Sequence, residues 1–139
     1  MLKLEDFFYM LSDETRLRCL LLLQAKGECC VCDFTHALQK MQPKISRHLA
    51  ILRGSRIVLD RRAGAWIYYS IHPDLPTWVS HLLFTITTET AELYAEDLLR
   101  LNERDRTMCE KALEAKKNES DKNSPAFQNI LPPSLLANA

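Results

Sequence analysis

Apolar residues recur every three or four positions through the first half of the chain, which predicts a series of short helices. The first covers residues 2–10. The run ETRLRCLLLLQAKG predicts a second, buried helix that is capped at Ser12 or Asp13 and ended by Gly27. The chain therefore opens with two helices separated by a tight corner.

Two further short helices follow, and the second of them is basic. CCVCDFTHALQKM has apolar side chains at helical spacing. In QPKISRHLAILRGSRIV, Ile45, Leu49 and Leu52 form one apolar stripe. The rest of that helix is left to face away from the core.

The pattern then changes to alternation. IVLDRRAGAWIYYSI predicts a β-hairpin with Gly64 near its tip. Residues 77–117 are mostly helical in pattern, and the β-branched residues of TITTET predict a break in that helix. Residues 118–139 are polar and contain three prolines, so we expect a disordered tail after a single domain at 1–117.

Charge is balanced overall but unevenly distributed. The 139 residues have a formal net charge of zero. Between positions 44 and 62, however, six basic residues stand against the single acid Asp60. This segment predicts one anion-seeking face.

Two short helices, the second of them basic, followed by a basic hairpin describe a winged helix-turn-helix, a mainly α fold with a β-hairpin wing. We expect the second helix to enter the major groove of operator DNA and the wing to touch the backbone or minor groove. Base and phosphate contacts are predicted for Gln42, Lys44, Ser46, Arg47, His48, Arg53, Arg61 and Arg62.

One such module reads one half-site, so we expect a homodimer on an inverted repeat of double-stranded DNA. The first helix and the helix running from Trp78 toward Leu101 carry more apolar side chains than a monomer needs. They are the predicted dimer interface.

Five cysteines are present: Cys19, Cys29, Cys30, Cys32 and Cys109. The acidic start of the chain does not match a signal peptide, and no apolar run approaches a membrane span, so a cytoplasmic protein with no membrane partner is expected. An odd number of thiols in a reducing compartment disfavours a disulfide framework. Metal binding or redox chemistry is the alternative role for the cysteines. Cys19 is expected to be a core residue.

Four segments of the sequence together resemble the ArsR/SmtB metalloregulators, and within them the arsenical resistance repressors. These segments are LSDETRLRCLLLL, ECCVCDFTHAL, QPKISRHLAILR and LDRRAGAWIYYSI. The resemblance covers residues 2–79. It implies a repressor that binds its operator as an apo-dimer and is released by As(III) or Sb(III), with no organic cofactor. The CxC of the arsenic-sensing members falls on Cys30 and Cys32, and thiolates are the donors that a soft ion prefers.

A third donor is left open by the sequence. Close family patterns often carry another thiol three residues after the pair, where this chain has Thr35. Cys29, Cys109 or an exogenous donor are the candidates. Side chains at i and i+2 of a regular helix diverge by about 200°, so we expect that binding unwinds the first turn.

Other functions compete with this interpretation. Cys29 and Cys32 also form a CxxC, which suits a thiol redox-sensing repressor. A Zn- or Cd-responsive member of the same family is a second alternative, although the C-terminal helix lacks the helical spacing of a metal-binding pair at His81. A structural zinc at the cysteines is disfavoured, because zinc wants four ligands and no second CxxC or HxxxH follows. A plain DNA-architectural or protein-interaction module with incidental thiols is a third. No nucleophile–base pair or phosphate loop indicates an enzyme.

Overall fold

The computed structural model describes residues 2–104, and within them helices alternate with a small sheet. The elements are, in chain order, α1 (Leu4–Leu11), α2 (Glu14–Lys26), β1 (Glu28–Cys30), α3 (Val31–Leu38), α4 (Gln42–Gly54), β2 (Val58–Ala63), β3 (Trp66–Ile71), α5 (Thr77–Glu89), a 3₁₀ turn (Ala91–Tyr94) and α6 (Ala95–Glu103). The predictions for Cys109, for helix beyond position 104 and for the tail at 118–139 lie outside these residues.

Both ends of α2 are as predicted. Asp13 caps the helix, because its carboxylate accepts the Arg16 N–H at 3.0 Å. Gly27 follows the last turn with φ 85°, a conformation that a side chain would strain. The glycine thereby turns the chain directly into β1.

The predicted hairpin is present, but it belongs to a three-stranded antiparallel sheet with the order β1-β3-β2. Gly64, with φ 62°, forms the turn between β2 and β3. The pairing of β1 with β3 was not predicted, because a strand of three residues is too short to show an alternating pattern. The cysteine cluster therefore begins in a strand and not in a helix.

One apolar core joins the helices to the inner face of this sheet. Helix α4 buries Ile45, Leu49 and Leu52, as its apolar stripe predicted. Phe34 of α3 and Tyr69 of β3 meet in the same core at 6.5 Å between ring centroids. Helix α4, the predicted DNA-reading helix, therefore packs against α3, the helix that follows the cysteines.

The C-terminal helix breaks where the threonines predicted it would. Helix α5 ends at Glu89, and the chain makes a 3₁₀ turn before α6 begins. The hydroxyls of Thr87 and Thr90 bond back to the carbonyls of Leu83 and Ile86, at 2.7 and 2.6 Å. Such bonds compete with the helical ladder and favour a bend.

Helices in the described part of the chain are all short. The longest have 13 residues. Between residues 2 and 104, none combines the length and the apolar composition needed to cross a membrane.

Candidate functional site

The first turns of α4 present the polar face predicted for DNA. Gln42, Lys44 and Arg47 are exposed, and Ser46 is partly exposed beside them. Pro43 lies in the first turn, where its missing N–H costs no helical hydrogen bond. All four residues lie in the first two turns of the helix.

His48 does not lie on that face. It is 7% exposed and sits on the buried stripe, three residues after Ile45. Its Nδ1 lies 3.4 Å from Arg16 Nη1 and 3.8 Å from Asp13 Oδ1. Burial lowers the pKa of His48 and neighbouring cations lower it further, while Asp13 opposes them. The structure therefore corrects the placement of His48, whose i+3 spacing from Ile45 was the overlooked signal.

The three remaining arginines differ in their surroundings. Arg62 is exposed next to the hairpin turn. Arg53 pairs with Asp60 at 3.0 Å, and both side chains are partly open to solvent. Arg61 is half-buried, forms an ion pair with Glu28 and lies over the ring of Tyr68 at 5.4 Å. Arg61 is thus built into the sheet, whereas Arg62 is open to a partner.

Neighbouring cysteines of β1 point to opposite faces of the sheet. Cys29 pairs with Tyr69 and is part of the main core. Cys30 pairs with Tyr68 and lies in a separate small cluster on the outer face. Residues directly opposite each other in an antiparallel pair share a face, so Cys29 and Cys30 are separated by the strand itself.

The pair Cys30 and Cys32 is brought together at the start of α3. Cys30 is the N-cap, with extended backbone, and Cys32 lies in the first turn. Both contact the outer-face cluster, which is otherwise made by Ala63, Trp66 and Tyr68. The expected divergence of 200° does not apply, because the helix begins at Val31 and only one of the two cysteines is helical.

Cys30 and Asp33 cap this helix reciprocally. The Cys30 sulfur accepts the Asp33 N–H, and the Asp33 carboxylate accepts the Cys30 N–H at 2.9 Å. Burial raises the pKa of the Cys30 thiol to about 12, the Asp33 carboxylate adds to the rise, and Arg104 opposes it. Cys30 therefore serves as the structural cap of α3.

No third thiol joins the pair among the described residues. The Thr35 hydroxyl donates to the Cys32 carbonyl at 3.0 Å, and Cys29 faces the core. Within residues 2–104 no group of three or more His, Cys, Asp or Glu side chains is placed to hold a metal ion. Cys19 is fully buried, as expected, and burial raises its pKa to about 12.

Two charged residues of this site were not predicted. Asp33 stands three positions after the N-cap, a capping-box spacing that was visible in the sequence. Arg104 forms an ion pair with Asp33 from 71 residues away, and its Nη1 lies 3.9 Å from the Cys30 sulfur. No sequence pattern predicts a contact between residues so far apart in the chain.

Comparison with known proteins gives a consistent set of matches. The family described as "Bacterial regulatory protein, arsR family" matches residues 13–59. The arsenic resistance transcriptional regulator ArsR1 of Pseudomonas putida is 50% identical over 96 residues, which are 69% of this chain and 75% of that relative. The arsenical resistance operon repressor of Escherichia coli is 51% identical over 78 residues, 56% of this chain and 67% of that relative.

Among solved structures, the AntR antimony-specific transcriptional repressor matches with a TM-score of 0.52 at 30% identity, over 62% of this chain and 75% of that chain. The segment matched by the family contains α2 together with α3 and α4, and the last two are the helix-turn-helix predicted from the sequence. These relatives are named as regulators of transcription, which agrees with the prediction of a regulator and not an enzyme. The chain belongs to the arsR family of bacterial regulatory proteins and has the winged-helix fold of that family, as the four sequence segments predicted.

Proposed function

We propose that this chain is a transcriptional repressor that binds operator DNA as an apo-dimer and is released when As(III) or Sb(III) binds Cys30 and Cys32. The observation that carries the proposal is the position of this thiol pair. It lies in the cap and first turn of α3, the helix that packs against the recognition helix α4. A ligand there acts one helix away from the DNA-reading surface.

The donors fit a soft, thiophilic ligand. Cys30 and Cys32 belong to the same small apolar cluster, and no nitrogen or oxygen donor group completes a zinc-type set among the described residues. When bound, arsenite supplies a centre that exchanges two hydroxyl groups for two sulfur ligands, and the two thiol protons leave as water. The exchange needs no net release of protons, so the raised pKa of Cys30 does not forbid it.

The cap explains how occupancy would reach the DNA surface. The Cys30 sulfur accepts the Asp33 N–H, and a sulfur bonded to another atom is a poorer acceptor for that bond. Losing a helix cap costs about 1 kcal/mol and loosens the first turn. Phe34, which follows Asp33 in α3, packs in the same core as Leu49 of α4, and the two helices are in contact. A loosened α3 therefore changes the support of α4.

The names of similar proteins support the choice of ligand. The two relatives at about 50% identity are named for arsenic or arsenical resistance. The structural neighbour at 30% identity is named as antimony-specific. As(III) and Sb(III) share the same preference for sulfur.

For DNA binding, we assign base contacts to Gln42, Ser46 and Arg47 in the first turns of α4. Gln pairs with adenine and Arg with guanine in the major groove. Lys44, Arg53 and Arg62 then hold phosphates. The Arg53–Asp60 pair is exposed and worth about 0–1 kcal/mol, so a phosphate can displace the carboxylate.

For dimerisation, we assign the surface formed by α1 and α5. The Phe7 ring contacts Phe8 and Trp78 at centroid distances of 5.9 and 5.3 Å, which joins the two helices. Both helices expose apolar side chains: Leu4, Phe8 and Tyr9 on α1, and Trp78 and Phe84 on α5. Exposed apolar side chains on two packed helices, in a regulator that needs two half-sites, favour a subunit interface there.

Replacing Phe8 by Glu tests this interface. The Phe8 side chain is half exposed in the single chain, so the substitution leaves the monomer folded but places a charge in the contact. Sedimentation equilibrium is expected to show a dimer dissociation constant that rises by about tenfold or more. Met41→Gln, at the exposed apolar residue directly before α4, is the matched control and leaves the mass unchanged. An unaltered dimer in Phe8→Glu would place the interface elsewhere.

The function itself is tested by anisotropy of the reduced protein on a promoter fragment from its own locus. Arsenite, antimonite, zinc, cadmium and hydrogen peroxide are titrated in parallel. Release by stoichiometric arsenite and antimonite, with zinc inert, is the expected result. Release by zinc and cadmium alone would indicate a divalent-metal sensor, and release by peroxide alone a redox sensor. DNA binding that is indifferent to all five would refute a thiol-based switch.

A further inference from the structure

The first turn of α3 is held from outside by a side chain of the C-terminal region. Arg104, at the end of α6, forms an ion pair with Asp33. Both side chains are largely buried, at 14% and 2% exposure. The same Arg104 Nη1 lies 3.9 Å from the Cys30 sulfur. One guanidinium thus contacts both members of the reciprocal cap.

Helix α6 also holds the opposite end of α3. The Arg100 Nε donates to the Ala37 carbonyl at 2.7 Å. Arg100 is itself fixed by Asp97 at 2.8 Å, and Asp97 accepts two bonds from Arg18 of α2. Helix α6 therefore spans α3 from its first turn to the turn that leads into α4.

The cap and the Arg104 contact use the two oxygens of one carboxylate, that of Asp33. One oxygen of the Asp33 carboxylate accepts the Cys30 N–H, and the other accepts Arg104. A movement of Cys30 that breaks the cap shifts the carboxylate to which Arg104 is bound. The ion pair and the capped first turn are consequently made or lost together.

We propose that Arg104 is a positioning residue of the thiol site, which holds α3 in the operator-binding arrangement until a ligand takes the Cys30 sulfur. The inference rests on the proposed function. Arg104 makes its contacts when the Cys30–Asp33 cap is formed. It therefore stabilises the operator-binding state relative to the released state. Its loss shifts the unliganded protein toward the released state, which weakens operator binding and strengthens arsenite binding.

The quantity to measure is the coupling ratio, the operator dissociation constant in saturating arsenite divided by that without arsenite. Arg104→Gln is expected to lower this ratio by about tenfold or more, because the unliganded variant already populates the released state. Arg104→Lys keeps the charge but loses the planar fork, so an intermediate ratio is expected. Arg100→Gln removes an α6–α3 bond remote from the cysteines and is the matched control, with a wild-type ratio.

Arsenite affinity without DNA supplies a second readout. Trp66 packs in the cysteine cluster, while the other tryptophan, Trp78, packs on Phe7, so a Trp78→Phe background leaves Trp66 as the fluorescent reporter. In that background, Arg104→Gln is expected to bind arsenite more tightly. A merely structural role of Arg104 would lower thermal stability without tightening arsenite binding.

The outcomes separate the two proposals. If wild-type protein is not released by arsenite, the proposed function fails. If wild type is released but Arg104→Gln keeps its ratio, or binds arsenite more weakly, the role of Arg104 is overturned. Equal losses of coupling in Arg104→Gln and Arg100→Gln would also overturn it. Should Arg104→Gln not fold, Arg104→Lys decides, and a wild-type ratio in that variant counts against the proposal.

Discussion

The direction of each side chain decides what the three neighbouring cysteines can do. Cys29 points into the core, Cys30 caps α3 on the other side of the strand, and Cys32 follows in the first helical turn. Only the last two share surroundings. The three cysteines of ECCVCD therefore divide into one pair, Cys30 and Cys32, and one core residue, Cys29. The Cys29 thiol would have to cross the sheet to join the pair.

The buried side chain of Arg16 links three helices, with His48 as its neighbour on α4. Arg16 donates to the carbonyls of Tyr9 and Met10 at the end of α1, at 3.3 and 3.0 Å. The same guanidinium stands beside His48 of α4, and Asp13 faces it from the cap of α2. Removing a partner from such a network leaves buried polar groups unsatisfied.

The titration of His48 predicts a loss of stability in mild acid. Burial and the cations around it lower the pKa of His48 in the folded state, despite the opposing Asp13. The unfolded chain then binds the proton more readily, so the free energy of unfolding falls as pH drops below about 6.5, the usual value for an exposed histidine. Urea unfolding at fixed protein concentration between pH 8 and pH 5 measures this effect.

His48→Gln is the control for that pH dependence. The variant is expected to be less stable than wild type at pH 8, yet its free energy of unfolding changes less between pH 8 and pH 5. Asp13 does not confuse the result: its pKa is lowered by the Arg16 N–H and by His48, although burial acts to raise it, so its contribution is lost only in stronger acid. A pH profile parallel to wild type would show that another group titrates.

The wing is an element with two faces, and the outer one connects DNA contacts to the thiols. Cys30, Tyr68 and Arg61 lie opposite one another across the three strands. Arg61 stacks on Tyr68 and pairs with Glu28, next to the cysteines in sequence. These contacts make Arg61 a structural part of the wing, and Arg62 is the exposed cation beside it.

Salt dependence distinguishes these two arginines. If Arg62 contacts one phosphate in each half-site, Arg62→Gln lowers the slope of log K against log[salt] by about 1.8 per dimer. Arg61→Gln is expected to weaken binding through the wing while leaving that slope near wild type. Anisotropy between 50 and 300 mM KCl measures both. A reduced slope in Arg61→Gln would mean that Arg61 leaves Glu28 and binds a phosphate.

The predictability of the elements followed from their length. Helices α2 and α4 repeat their apolar residues over 13 positions each, which made both visible as patterns. The three residues of β1 have no such repeat, so the position of Cys30 outside the helix was missed. The pairing of Arg104 with Asp33 depends on how α6 packs, and only the folded chain brings those residues together.

At the scale of the whole fold, the thiol pair lies where the sheet, α3 and α6 meet. The sheet lies on one side of Cys30, α3 begins at it, and α6 closes over it through Arg104. Helix α3 in turn supports α4, whose exposed first turns carry the predicted base contacts. A bond formed at one sulfur therefore reaches the wing and the recognition helix through direct neighbours.

The most direct test of this account is arsenite-driven release of operator DNA by wild type, by Cys30→Ser/Cys32→Ser and by Cys29→Ala. The double variant is expected to bind operator but to ignore arsenite. Cys29→Ala is expected to lose about 1 kcal/mol of stability from the core and to keep its response. Release that persists without Cys30 and Cys32, or disappears with Cys29 alone, would contradict the assignment of the switch to this pair.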